Sequence, residues 1–489
     1  MLIKKTKSLC PVCGIVLDAD IVEEEGKVWV VRTCPEHGTY RALYWSDADM
    51  YRRFDAYECI GNGISNPHTT VSPAGCPNDC GICPNHRSMT LLANIDLTNR
   101  CNLNCDFCFA NAQACGYVYE PTFDQVVDMM RMLRAERPVP VLAVQFSGGE
   151  PTMRDDLPEI IRKAKELGLY QVQVATNGLR IAQDPDYIVE LKEAGLSTVY
   201  LHFDGVTRET NSKIASDRRA IANCEKIGMG VILVPTVING RNDHEVGAII
   251  KYAAEHIETI RGVNFQPVAF TGAASEDDVR KERITIPGLA DRIEEQTDGI
   301  IKKDYFYPVP CVVPISRLVE AYTGKPQVMF TTHQHCGAAT YVFVTDEGMV
   351  PINRMLDIDA FFESVDKMAT KFSKGGSINK YMTLVEGVKD LYVSTRNAEQ
   401  KNTGEFLKLI GKTLLSQDFE ALREFHWNAL FIGTMHFMDC HNYDLSRVQR
   451  CCIHYATPDG RLIPFCTYNS GPVYREKVWK AFARPQEEE

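Results

Sequence analysis

Hydrophobic positions fall into alternating blocks from about residue 91 to residue 270. Short apolar runs at 91–97, 141–146, 171–175, 198–203, 230–235 and 262–266 predict strands buried in the manner of a parallel sheet. Helical periodicity fills the gaps between them. Thr122 and Gln125 form a capping-box pair that opens an amphipathic helix through Val126, Val127, Met129, Met130 and Leu133, whose methionines read as core packing. Leu157, Ile160, Ile161, Ala164 and Leu167 mark the next helix, which Gly168 stops. Six strand–helix units in this order predict an α/β fold, a partial TIM barrel of (β/α)6 type, with a doubly wound sheet as the alternative. In such a barrel the chemistry belongs at the C-terminal ends of the strands.

The pattern changes on either side of that block, and four segments are expected: 1–58, 59–90, 91–275 and 276–489. Residues 272–278 read as a linker. Beyond it, 406–415 and 427–438 read as helices. The second is apolar almost all round, which suits a core helix or the wall of an apolar cavity. Residues 451–466, with Pro458, Asp459 and Gly460 as the turn, read as a hairpin bracketed by thiols.

Charge and composition narrow the field. A net charge of −11 without a basic stripe excludes a nucleic-acid binder. The chain has no run of some 18 apolar residues, so no transmembrane segment is expected. The residues after Met1-Leu2-Ile3-Lys4-Lys5 lack the apolar run of a signal peptide, which predicts a cytoplasmic protein. In that compartment the 18 cysteines read as metal ligands rather than disulfides.

The cysteines come in groups. Cys10, Cys13, Cys34 and His37 sit in two knuckles around a short hairpin and form a zinc-ribbon or rubredoxin-like module for one zinc or iron ion. Cys59 in place of His37 would make it an all-thiolate iron site. Cys76, Cys80 and Cys83, with Cys59 as the nearest spare thiol, form a four-cysteine auxiliary cluster, a second zinc site being the alternative. Cys101, Cys105 and Cys108 follow the first barrel strand. Three thiolates so close can hold three irons of a [4Fe–4S] cluster and leave the fourth open to a ligand; a structural zinc knuckle is the alternative, but zinc would want a fourth ligand. Farther on, Cys311, Cys336, Cys451 and Cys466 are candidates for a second auxiliary cluster, with Cys440 and Cys452 as competing ligands and buried apolar cysteine as the plain alternative.

With Phe107 just before the last cysteine, the 101–108 stretch resembles the signature of the radical SAM superfamily. In that family the methionine part of S-adenosylmethionine (SAM) chelates the open iron, and an electron from the cluster cleaves it to a 5′-deoxyadenosyl radical. Ser147-Gly148-Gly149-Glu150-Pro151 after the second strand matches the family's GGEP motif, which implies SAM binding by the turn's carbonyls and the Glu150 region. Asn177, Asp204 and Gln266 end later strands, and the resemblance implies that they contact the rest of SAM; Asn177 and Asp204 also suit plain turns. His202 reads as a supporting or core histidine. No catalytic side chain beyond the cluster ligands is assigned.

The order of the motifs from Cys10 to Cys466 is similar to that of the archaeal tetraether lipid synthase family, a group also classed with proposed pterin-methylating radical SAM enzymes. That resemblance implies hydrogen abstraction from terminal methyl carbons of archaeal isoprenoid glycerolipids and their joining by a C–C bond. An auxiliary [4Fe–4S] cluster would trap the first alkyl radical. With the cysteine groups above, the expected cofactors are three [4Fe–4S] clusters and one mononuclear iron or zinc. An electron donor such as ferredoxin is expected as a partner, and the lipid substrate implies peripheral contact with a membrane. The alternatives are methylation of a pterin cofactor and peptide maturation, and no peptide-binding edge is marked.

Overall fold

The structure is a computed structural model that describes residues 1–71, 73, 75–78, 80–105, 108, 116–270, 276–346, 348–374, 429–470 and 474–484. The ribbon comes first, as a four-stranded antiparallel meander of β1 (Leu2–Leu9), β2 (Val16–Glu24), β3 (Lys27–Cys34) and β4 (Gly38–Trp45). Its strands alternate buried and exposed positions, as a sheet with one wet face should.

The large sheet begins at β5 (Leu92–Thr98) and continues through β6 (Ala143–Gly148), β7 (Gln171–Thr176), β8 (Thr198–His202), β9 (Val231–Val234) and β10 (Ile260–Pro267). These six strands are the expected ones. Each lies parallel to the next in chain order. Thr122 and Gln125 close both arms of the capping box at the head of the helix Phe123–Ala135, which buries Met129 and Met130 as expected. Gly168 ends the helix Leu157–Glu166 at a φ of +85°.

The sheet does not stop at six parallel strands. β11 (Gly337–Thr345), β12 (Ala429–Met435), β13 (Ile453–Ala456) and β14 (Leu462–Pro464) extend it. β12 adds parallel to β10 on one side and β13 adds parallel to β5 on the other; β11 then pairs antiparallel with β12, and β14 with β13. The result is an open, partial barrel with the hairpin β13–β14 where a thiol-bracketed hairpin was expected.

One expectation needs correction. The segment read as a helix over 427–438 is the strand β12 over Ala429–Met435, and 436–438 belong to no regular element. Gly433 inside it opposes helix formation, and its all-round apolar character reflects a strand buried on both faces rather than a buried helix. Residues 427–428 and the helix expected at 406–415 lie outside the described residues. The linker expected at 272–278 ends inside the helix Glu276–Glu282, and 271–275 lie outside the described residues.

Alternation along the barrel strands sorts their side chains. Ile95, Leu97, Val144, Phe146, Val172 and Val174 form one apolar face in the main core. The opposite face carries Asn94, Asp96, Gln145, Ser147 and Gln173, joined side chain to side chain. Gln173 Nε2 donates to Gln145 Oε1 at 2.8 Å, Gln145 Nε2 to Asn94 Oδ1 at 2.9 Å, and Ser147 Oγ to Asp96 at 3.0 Å. Polar residues line the inside of the barrel.

Candidate functional site

Two glycines close the mouth of the barrel between its first two strands. A Cβ on Gly148 would stand 2.2 Å from the Thr98 carbonyl oxygen, and one on Gly149 would stand 2.3 Å from that of Arg100. Only glycine lets the turn after β6 press against the loop that carries Cys101, Cys105 and Cys108. Backbone bonds lock the contact, Gly149 N donating to Thr98 O at 2.7 Å and Glu150 N to Arg100 O at 2.8 Å.

Glu150 is buried, and its carboxylate is committed to the protein. Oε1 accepts from Thr152 N (3.1 Å), Thr152 Oγ1 (2.6 Å) and Thr176 Oγ1 (2.7 Å), and Oε2 accepts from Asn177 N (2.7 Å). Asn177 passes the constraint on, its Nδ2 donating to Asn102 Oδ1 at 2.7 Å. The GGEP turn, the end of β7 and the cysteine loop are thus one hydrogen-bonded unit. Asp204 is held as firmly. Its Oδ1 accepts from Thr236 N at 2.9 Å and its Oδ2 lies 2.7 Å from His202 Nε2. Gln266 sits at the end of β10, its N donating to Pro235 O at 2.9 Å.

The loop thiols suit a cluster. Burial, followed by the charges of Cys108 and Cys101, pushes the Cys105 thiol up to about 11. A thiol held protonated by burial and by neighbouring thiolate charge ionises when iron supplies the compensating charge. Phe107 lies outside the described residues.

In the ribbon the ligand atoms of Cys10, Cys13, Cys34 and His37 all lie within 4.8 Å of one another. His37 Nδ1 stands 3.7 Å from Cys10 Sγ and 3.4 Å from Cys34 Sγ. Two thiol knuckles and an imidazole at that spacing fit one tetrahedral ion. The ribbon docks on the barrel through Asp444, whose oxygens accept from Thr6 Oγ1 (2.6 Å) and Tyr44 OH (2.8 Å), with Lys4 Nζ at 3.4 Å.

The remaining cysteines divide differently from their order in the chain. Cys76, Cys80, Cys108, Cys451 and Cys466 all belong to or pack on one aromatic core built by Tyr443, Tyr455, Tyr468, Tyr474 and Trp479. Cys336 accepts from the buried Arg447 Nε at 3.3 Å, and the same guanidinium feels the charge of Cys466. Burial, then the charges of Cys466, Cys452 and Cys336, push the Cys451 thiol up. Cys59 instead faces Arg317, whose Nη2 lies 3.4 Å from its sulfur, in a cavity of about 150 Å³ with Val313, Met329 and Thr331. Cys311 lies next to Asp359 and is pushed up to about 12, chiefly by burial.

Sequence reasoning missed three residues here. Tyr443, Tyr474 and Arg475 sit among the thiols but belong to no motif. Only the fold brings them there.

Residues 95–253 match the radical SAM superfamily, and residues 2–46 match the HMPTM N-terminal zinc ribbon domain. Over 99% of its length the chain is 48% identical to the 7,8-dihydro-6-hydroxymethylpterin dimethyltransferase of Methanocaldococcus jannaschii, of which it covers 96%. It is 36% identical to the Fe-coproporphyrin III synthase of Methanosarcina barkeri over 37% of this chain and 45% of that one. Among solved structures, HydG, a maturase of the [FeFe]-hydrogenase, covers 68% of this chain and 83% of its own length at 12% identity and a TM-score of 0.34. The end-to-end relative corrects the expectation of lipid chain coupling and, with it, the glycerolipid partner. The outer motifs that carried that expectation fall inside a match to a protein named for pterin methylation. Among the described residues, no helix is long and apolar enough to cross a membrane.

Proposed function

We propose that this chain, which belongs to the radical SAM superfamily and within it to the family of the 7,8-dihydro-6-hydroxymethylpterin dimethyltransferase, is a radical SAM methyltransferase acting on a pterin. The observation that carries the reading is the 48% identity from the ribbon to the last cysteine hairpin. Membership brings SAM and a [4Fe–4S] cluster; when bound, they supply a carbon radical strong enough to break an unactivated C–H bond.

The chain's own residues position and shield that chemistry. Cys101, Cys105 and Cys108 hold the cluster. The carbonyls of the Gly148–Glu150 turn receive the SAM amino group, while Glu150 fixes the turn. Asn177 and Asp204, at the ends of the adjacent strands β7 and β8, and Gln266, at the end of β10 beyond β9, take the remaining polar groups of SAM. Cys10, Cys13, Cys34 and His37 hold one zinc or iron. Cys76, Cys80 and Cys83 hold an auxiliary cluster, whose fourth ligand comes from Cys451 or Cys466 on the shared aromatic core rather than from Cys59. Cys336 stands with these C-terminal thiols around Arg447. An electron donor completes the system.

The test is anaerobic incubation of the iron-reconstituted protein with 7,8-dihydro-6-hydroxymethylpterin, SAM, a methylene-carrying tetrahydropterin and a reductant. A pterin heavier by one or two methyl groups is expected by mass spectrometry. Deoxyadenosine formed with the pterin unchanged would sink the reading. In the ribbon, Cys34→Ser is expected to lose one equivalent of metal without loss of acid-labile sulfide. Metal and sulfide analysis of the purified protein checks this, and retention of the ion would mean that it sits elsewhere.

A further inference from the structure

Helix Tyr474–Ala481 places two adjacent side chains between two cysteine loops. The Tyr474 hydroxyl accepts from Cys80 N at 2.9 Å and donates to Pro77 O at 2.7 Å, so it stands inside the Cys76–Cys83 loop. Arg475, the next residue, points into the barrel. Its Nη1 is 3.0 Å from Asp96 Oδ2, its Nη2 donates to Tyr455 OH at 3.1 Å, and its Nε donates to Asn469 Oδ1 at 3.0 Å. The guanidinium lies 5.0 Å from the ring centres of both Tyr468 and Trp479. Asp96, at the C-terminal end of β5, also accepts from Ser147 and from Tyr468 OH at 3.2 Å. The side chains of both partners are almost fully buried, at 8% and 1% exposure.

A buried ion pair of this kind is weak evidence for stability, since well-packed apolar residues do as well. Its surroundings suggest another use. Cys108, the last thiol of the radical loop, packs on the core to which Tyr474 and Trp479 belong. It is also among the groups whose charge reaches Arg475. Hydrogen bonds to sulfur and local charge are levers that set the potential of an iron–sulfur cluster. Both lie within reach of this one helix turn.

We propose that Tyr474 and Arg475 are positioning residues that set the reduction potentials of the two cysteine-held centres meeting at the aromatic core. Tyr474 does so by withholding the Cys80 N–H from cluster sulfur, and Arg475 by setting a positive charge, balanced by Asp96, beside Cys108. A hydrogen-bond donor or a cation near a cluster favours its reduced, more negative state, and an uncompensated anion opposes it. The ion pair therefore holds the radical centre near the potential it would have with neither charge. The proposal rests on the assignment of clusters to the 76–83 and 101–108 loops.

Redox titrations of the reconstituted holoprotein, followed by electron paramagnetic resonance, test it in four variants. Arg475→Gln leaves Asp96 unbalanced and should lower the midpoint of the radical cluster. Asp96→Asn leaves Arg475 unbalanced and should raise it. The double variant should return close to wild type. Tyr474→Phe frees the Cys80 N–H and should raise the midpoint of the other cluster while leaving the radical cluster in place. Structural damage would not give two single variants opposite signs and a double variant that restores the midpoint. Shifts of one sign in Arg475→Gln and Asp96→Asn, or unchanged midpoints in all four variants, overturn the proposal. A wild-type protein with a single [4Fe–4S] signal overturns the Tyr474 half together with the cluster assignment beneath it.

Discussion

Replacing Glu150 by alanine is expected to weaken binding of SAM to the cluster-loaded protein roughly a hundredfold, through a loss of about 3 kcal/mol. Its carboxylate accepts four hydrogen bonds inside the protein, from Thr152 twice, Thr176 and Asn177. An orphaned buried donor costs about 1–3 kcal/mol, and relaxation of the turn recovers part of the total. What relaxes is the turn proposed to receive SAM. The turn loses its tie to the end of β7, and Asn177 loses the anchor that keeps it on Asn102 of the cysteine loop. Glu150→Gln keeps one acceptor oxygen but turns an amide NH2 toward another donor, so a loss of about tenfold is expected. The dissociation constant of SAM measures both effects, with the visible absorbance of the cluster as the control for folding. Unchanged affinity in Glu150→Ala would mean that the turn is held without its carboxylate.

How much of this was legible beforehand depends on the distance over which each feature is encoded. The six central strands were readable because each is a short run rich in apolar and β-branched residues set between helical patterns, even where its inner face carries Asn94, Asp96, Gln145 or Gln173. The radical loop was readable because its three thiols lie within eight residues of one another, and the GGEP turn because its glycines are local. β12 was misread because a short apolar run has no period that separates strand from helix. The seat of Glu150 was not legible: its role follows from Thr176 and Asn177, brought beside it by a strand pairing. Still less so was the Tyr474–Cys80 contact, which spans 394 positions and involves a tyrosine with no pattern around it. Substrate was hardest. Lipid coupling and pterin methylation share the initiating motifs, and the flanking cysteines point to further metal ligands, not to what the radical meets.

Asp444 carries the second large effect, and it falls on stability. Its side chain is fully buried between the ribbon and the barrel, where it accepts from Thr6, Tyr44 and Ser446 with Lys4 3.4 Å away. Burial alone would raise its pKa, but the charge of Lys4 and the hydrogen bonds from Thr6, Ser446 and Tyr44 outweigh it and hold the carboxyl at about 2. The folded value lies below the ordinary 3.8, so the ionised form stabilises the fold. That contribution, about 2 kcal/mol, is fully present above pH ~4 and is lost as the pH falls toward 2. Asp444→Ala removes it at every pH and orphans the buried Tyr44 hydroxyl as well, so a loss of about 3 kcal/mol is expected at neutral pH. Asp444→Asn keeps one acceptor oxygen, enough for Thr6 and Ser446 or for Tyr44 but not for both sides, and should lose less than the alanine variant. Urea unfolding at pH 7 and pH 3 reads both terms. The wild type should lose stability relative to Asp444→Ala as the pH drops, because only the wild type has a carboxylate there to protonate. A pH-independent difference between the two proteins would show that the charge on Asp444 does not hold the ribbon to the barrel.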